Sequence, residues 1–253
     1  GKGSGKVNGN YYANAQKKQQ DEHKAKDYVP MLPDDFREID AETRSWLYPI
    51  YPFRTQEEQQ QFIDHFHPAN LISRHPKARP LISASELASL QSMVQRYIQA
   101  MKLSPDIIVQ EGVMCAWMKQ TVDDTKSEDP KGVEMVPAIA YCNYLDGKII
   151  NVKFRSVQQH PVTGEWSKLF CQVSPTKPCA PYGIDSINLL RPDAQPIRQL
   201  IITEGEKDRL TLMTCGFPYV LSIANGASTN IEESHEAFDE WIQQAGEIII
   251  CGD

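Results

Sequence analysis

Eight residues toward the C-terminal end, Ile201 to Asp208, read I-I-T-E-G-E-K-D. An apolar run followed at once by three carboxylates could do chemistry on phosphates. If L-I-I-T (200–203) is a buried strand of a parallel sheet, Glu204 stands at its carboxyl end, where such sheets bind ligands. Gly205 would allow a tight turn, and a helix would start with Asp208 one turn in. A second run, E-I-I-I-C (247–251), leads through Gly252 to Asp253. If the two strands are neighbours, Glu204, Asp208 and Asp253 converge on one rim. Such an oxygen-rich set suits Mg²⁺ or Mn²⁺, which keep waters and bind substrate phosphates. The residues alone leave another reading open, in which Glu204, Glu206 and Asp208 complement the positive end of a helix.

The charge distribution singles out the same segment. Residues 196–253 hold three basic and ten acidic residues, the whole formal net charge of −7 carried by the 253-residue chain. The preceding 195 residues balance, so the net value does not argue against a polyanionic partner. Hydrophobic residues make up 41% and charged residues 23%, which excludes wholesale disorder. No run of 18 apolar residues and no positive-then-apolar leader occurs, so a membrane span and a secretory signal are not expected. The six cysteines (Cys115, Cys142, Cys171, Cys179, Cys215, Cys251) contain no CxxC pair. A cysteine zinc module is excluded, a reducing, cytoplasmic location fits, and Cys215 and Cys251 read as buried structural residues. No P-loop, GxGxxG or Ser/His/Asp order is present.

The elements that must position the carboxylates follow from periodicity. Residues 1–33 are polar and basic and read as a flexible arm. Residues 34–103 read as a small helical region, with Thr55/Glu58 and Ser83/Glu86 at capping-box spacing. Leu87, Leu90, Val94, Tyr97, Ile98 and Met101 form the apolar stripe of the second helix, while Pro68, Pro76 and Pro80 interrupt helix between the two. His65, His67 and His75 read as loop residues rather than metal ligands, and Tyr48, Tyr51 and Phe53 as packing rather than base-stacking groups. Residues 104–195 form a β-hairpin-rich subdomain: V-M-C-A-W-M, V-P-A-I-A-Y-C-N-Y-L and K-I-I-N-V-K-F-R-S are strands, with Asp146-Gly147 as the hairpin turn between the last two. Residues 122–132 read as a polar loop. From 196 the pattern is βαβαβ, implying a parallel sheet covered on both faces; its second helix is I-E-E-S-H-E-A-F-D-E-W-I-Q-Q-A. The fold class is α/β, with an α+β N-terminal part.

Lys153 and Arg155 occupy alternate positions of a predicted strand and so share a face. That face is either a phosphate-binding stripe, with Lys168 added to it, or an ordinary solvated surface. Asn225 and Gly226, after the second strand of the acidic segment, offer backbone N–H groups near the rim or form a plain strand-to-helix turn.

Taken in order, these motifs resemble the Toprim-fold DNA primases, of the phage-type primase–helicase group. The Glu204–Asp208 block between strand and helix resembles the family's glutamate motif. Ser222–Ser228 (S-I-A-N-G-A-S) looks like its glycine turn, and Asp253 like the first aspartate of its D-x-D. Upstream, Tyr144–Arg155, K-L-F (168–170) and P-Y-G-I-D (181–185) resemble the subdomain before Toprim, which lines the template and nucleotide groove. The resemblance covers about residues 104–253 and implies a partial Toprim domain over 196–253. It implies RNA-primer synthesis on single-stranded DNA from NTPs, with Glu204 and Asp253 holding Mg²⁺ or Mn²⁺ and Asp208 in support. Gly205, Asn225, Gly226, Lys153, Arg155 and Lys168 would face nucleotide or template. The second aspartate of D-x-D and the family's zinc-binding cysteines do not occur in this sequence. The expectation is therefore a piece of a longer protein, truncated within Toprim, working with a replicative helicase domain or partner. A Toprim nuclease and a non-catalytic DNA-binding module are the alternatives.

Overall fold

Helix caps and one buried strand open the described part of the chain. A computed structural model describes residues 36–74, 78–123, 131–175, 180–191, 196–223 and 241–252. The arm expected over 1–33 lies outside them. Asp40 caps helix α1 (Ala41–Arg44) by accepting the Thr43 N–H at 2.7 Å. Strand β1 (Leu47–Pro49) follows, with Leu47 and Tyr48 buried. Thr55 caps helix α2 (Gln56–Phe66), accepting from Glu58 N at 3.1 Å, while Glu58 reaches back to Arg54 N at 2.9 Å rather than to the cap itself. Helix α3 (Ala69–Arg74) starts directly after Pro68, so the helix is interrupted at this proline between Phe66 and Ala69, as expected. A missing N–H costs nothing at a helix start.

Ser83 and Glu86 form the full reciprocal capping box of helix α4 (Ala84–Ala100), with Glu86 N to Ser83 Oγ at 3.3 Å and Ser83 N to Glu86 Oε2 at 2.9 Å. Its stripe buries Leu90, Val94, Tyr97 and Ile98, each contributing about 1.5–3 kcal/mol on burial. A short helix α5 (Pro105–Gln110) follows.

The stretch 34–103 is not helical throughout, and this corrects the expectation. Strand β1 is the edge of a five-stranded antiparallel sheet, paired with strand β2 (Met114–Asp123) through Leu47↔Ala116. The sheet continues with strands β3 (Lys131–Leu145), β4 (Lys148–Ser156) and β5 (Phe170–Val173) in chain order. The β2–β3 ladder runs unbroken to Asp123↔Lys131. It takes in both ends of the expected 122–132 loop, because main-chain pairing carries the strands past the apolar stretch; residues 124–130 are not described. Asp146 and Gly147 join β3 to β4 with φ of +51° and +73°, the backbone of a type I′ turn. The Asp185 carboxylate accepts both turn amides at 2.8 Å. One face of the sheet places Ile139 and Tyr141 against α4. The other packs Ala138, Ala140, Val152 and Phe154 against Trp46, Phe62 and Phe66.

The second sheet is parallel, in the order β7-β6-β8: strands β6 (Ile197–Thr203), β7 (Val220–Ser222) and β8 (Ala245–Cys251). Helix α6 (Ile184–Leu190) precedes it, and helix α7 (Glu206–Thr214) joins β6 to β7. Gly216, at φ +93°, ends α7. Tyr182, in the connection before α6, exchanges backbone hydrogen bonds with Ser222 on β7 at 3.0 and 3.1 Å.

Strand β6 is largely buried, but β8 leaves Ile248 39% and Ile250 78% exposed, so coverage on both faces does not extend to β8. Of the amphipathic helix expected over 231–245, residues 231–240 lie outside the description; residues 241–244 are helical, with Trp241 buried against Ile197 and Leu200, and Ala245 already opens β8. Cys215 and Cys251 are exposed, not buried as expected: one follows the last turn of α7, the other ends edge strand β8. Among the described residues no helix is long and apolar enough to cross a membrane. The whole is a mixed α/β arrangement of an antiparallel and a parallel sheet.

Candidate active site

Glu204 follows the last residue of β6 and is half-buried. The strand end is fixed by Thr203, buried, whose Oγ1 donates toward Leu221 O (3.3 Å) and Gly205 O (3.2 Å). Strands β6 and β8 are direct neighbours, and Thr203↔Cys251 sets their carboxyl ends level. The two strands are thus paired as far as Cys251; Asp253 lies outside the described residues, as do Asn225 and Gly226.

Asp208 sits one turn into α7, half-exposed, with its carboxylate 2.9 Å from Lys207 Nζ. Gly205 has an extended backbone (φ −132°), so it is not needed for a left-handed turn. Its lack of a side chain matters for room instead, since Asp208 Oδ2 lies 3.1 Å from where a Cβ would project.

Lys153 and Arg155 do share a face of β4. Their cross-strand neighbours on that face are Tyr141 and Ile139 on β3, and Gln172 and Phe170 on β5. Lys153 Nζ is 3.0 Å from Glu206 Oε2, with side-chain exposures of 15% and 6%. This ion pair ties the basic strand to the first turn of α7, two residues beyond Glu204. Burial pushes the Glu206 carboxyl above its ordinary value of 4.5, with the Lys153 ammonium opposing the shift. Lys153 Nζ also lies 5.3 Å from the centre of the Phe170 ring. Arg155 is half-buried, and its Nε is buried with no hydrogen-bond partner among the described residues. Lys168 is exposed in the connection leading into β5.

A buried ion pair behind the rim carries no signal in the sequence. Arg209 Nη1 and Glu111 Oε2 are 2.6 Å apart, with side-chain exposures of 0% and 3%. Arg209 Nε donates to Val220 O at 2.7 Å, its guanidinium lies 5.1 Å from the centre of the Tyr182 ring, and Ser186 Oγ donates to Glu111 Oε2 at 2.6 Å. Gly183, at φ +101°, leaves room for that guanidinium, which a methyl group there would overlap. Arg209 therefore holds α7 against β7, α6 and the end of α5.

Glu204 and Asp208 offer hard oxygen donors of the type Mg²⁺ and Mn²⁺ take, and such a cation fits a rim supplying few carboxylates because it keeps several waters. Among the described residues no group of three or more His, Cys, Asp and Glu gathers closely enough to hold a metal ion. His67 is one of the packed residues: it is buried, its Nε2 lies 3.1 Å from Leu47 O, and it stacks on Tyr48 at 4.8 Å. An open groove of about 970 Å³ runs between α4 and the β4–β5 connection, lined by Arg96, Gln120, His160, Trp166 and Leu169, with no carboxylate of the rim.

No protein-family model and no curated protein sequence matches the chain. Solved structures it resembles include DNA primase catalytic cores. The primase fragment of the bacteriophage T7 primase–helicase protein is 23% identical, with a TM-score of 0.44, over 61% of this chain and 53% of that one. The DnaG primase catalytic domain bound to ssDNA is 14% identical, with a TM-score of 0.44, over 64% and 54%. The Aquifex aeolicus primase, with its zinc-binding and RNA polymerase domains, is 11% identical, with a TM-score of 0.44, over 78% and 56%. The chain thus spans about half the length of each.

Proposed function

We propose that this chain is part of the catalytic core of a DNA primase, which makes short RNA primers on single-stranded DNA from NTPs. One observation supports this above the rest: the Lys153–Glu206 ion pair joins a basic strand to the first turn of the helix that follows Glu204. Carboxylates and a basic face are thereby coupled within a few residues. In this reading Glu204 and Asp253 hold Mg²⁺ or Mn²⁺, and Asp208 supports them. Bound there, the metal would lower the charge cost of 3′-hydroxyl attack on an α-phosphate. Lys153, Arg155 and Lys168 hold polyanion, whether template backbone or triphosphate, and Gly205, Asn225 and Gly226 present backbone to the nucleotide. A helicase domain or partner would supply the single strand.

The same carboxylates would serve phosphodiester hydrolysis in a nuclease. Incubating the full-length protein with single-stranded DNA, Mg²⁺ and labelled NTPs separates the readings. Labelled oligoribonucleotides support primase, shortened DNA supports nuclease, and neither product supports a non-catalytic DNA-binding module.

A further inference from the structure

The molecule spends a large aromatic side chain where no core uses it. Phe170 opens edge strand β5 and is 63% exposed. A lone exposed apolar residue is unremarkable; its surroundings are what set this one apart. Register pairs it directly with Arg155 on β4, so the ring and the guanidinium stem rise from the same face of the sheet. Lys153, two residues along on that face, brings its ammonium to 5.3 Å from the ring centre. Two cations therefore flank an open aromatic surface.

Among the described residues, Arg155 Nε is buried with no hydrogen-bond partner. Lys153 shares its charge with Glu206, whereas no ion pair to Arg155 occurs among the described residues, so Arg155 is the cation more open to an anion. Leu169, the residue before Phe170, lines the large groove together with Trp166 and Arg96. An aromatic platform, a cation open to an anion and an adjoining open groove answer to a ligand with a flat face and a phosphate about one nucleotide away.

We infer that Phe170 is a stacking platform for an unpaired base of a single DNA strand, whose adjacent phosphate is taken by Arg155. The inference deepens the primase reading, on which the choice of a DNA strand rests. Every base has a π-face, so the contact tolerates sequence. It also contributes affinity without counterion release, whereas the Arg155 contact releases a counterion and is salt-dependent.

The test is equilibrium binding of the full-length protein to a fluorescent single-stranded oligonucleotide, without Mg²⁺ or NTPs, across a salt series. Phe170→Ala weakens binding about 5- to 150-fold and leaves the slope of log K against log[salt] unchanged. Phe170→Leu behaves like Phe170→Ala, because the ring and not the apolar area is needed, and Phe170→Trp retains affinity. Arg155→Gln reduces the salt slope by about 0.7. Since Phe170 is 63% exposed, the Phe170 variants keep the parent melting temperature, which a thermal scan checks. Wild-type affinity in Phe170→Ala or in Phe170→Leu overturns the inference. A parallel ATP titration separates the sources: weakened ATP binding with unchanged oligonucleotide binding overturns the assignment to a strand. Because no turnover is measured, a protein that binds through Phe170 yet makes no primer contradicts the primase reading alone. A protein that makes primers with Phe170→Ala binding unchanged contradicts this inference alone.

Discussion

Neutralising Glu111 tests how the rim is held. Arg209 is fully buried, and its guanidinium has Glu111 as its anionic partner at 2.6 Å, with Val220 O at 2.7 Å and the Tyr182 ring as its other contacts. Glu111→Gln keeps the shape but leaves a buried cation uncompensated, and breaking a buried pair from one side costs about 3–5 kcal/mol. For a chain of this size about 2–4 °C of melting temperature accompanies each kcal/mol, so a fall of about 6–20 °C is expected. The double variant Glu111→Leu/Arg209→Met removes both charges and costs less than the sum of its singles, since no unpaired charge remains. Urea denaturation followed by tryptophan fluorescence, run as a double-mutant cycle, measures the cost and the coupling, and a thermal scan measures the fall in melting temperature. A cost for Glu111→Gln within the 0–1 kcal/mol of an exposed pair, or strict additivity in the cycle, refutes the claim that this pair anchors α7.

Two pH dependences follow from burial. Desolvation lowers the His67 pKa from 6.5, so the fold favours the neutral ring. Its contribution is present above pH 6.5 and is lost as pH falls through the lower folded value; His67→Phe flattens stability measured by denaturation between pH 7 and pH 5. Glu206 shifts the other way. With its folded pKa raised from 4.5, the native state holds more protons than the unfolded one just above that value, and stability from this group falls as pH rises through the window. Subtracting the pH–stability curve of Glu206→Gln from that of the parent isolates this decline; a difference that instead rises with pH contradicts the burial of Glu206.

What the sequence made legible is what local rules govern. The Ser83/Glu86 box, the α4 stripe and the Asp146-Gly147 turn each depend on residues within a few positions of one another, and all three are observed. The strand–Glu204–helix block could be read because a buried run and a helix start are also local signals. Leu47–Pro49 could not be read as a strand. Three residues carry no period, and only pairing with Met114–Ala116, some 67 positions away, makes them one. The Glu111–Arg209 and Lys153–Glu206 pairs were invisible for the same reason, each joining elements far apart in sequence. Glu206 stood in the motif, but its burial and its partner belong to the tertiary structure. Cys215 and Cys251 look like core residues by type, yet each sits at the exposed end of its element.

Primer synthesis by the full-length protein carrying Glu204→Gln tests the central proposal most directly. Loss of a metal-holding carboxylate is expected to lower labelled primer by at least about 100-fold, while the denaturation curve and single-stranded DNA affinity stay at parent values. Primer made at the parent rate by a well-folded Glu204→Gln protein would contradict the assignment of Glu204 to catalysis.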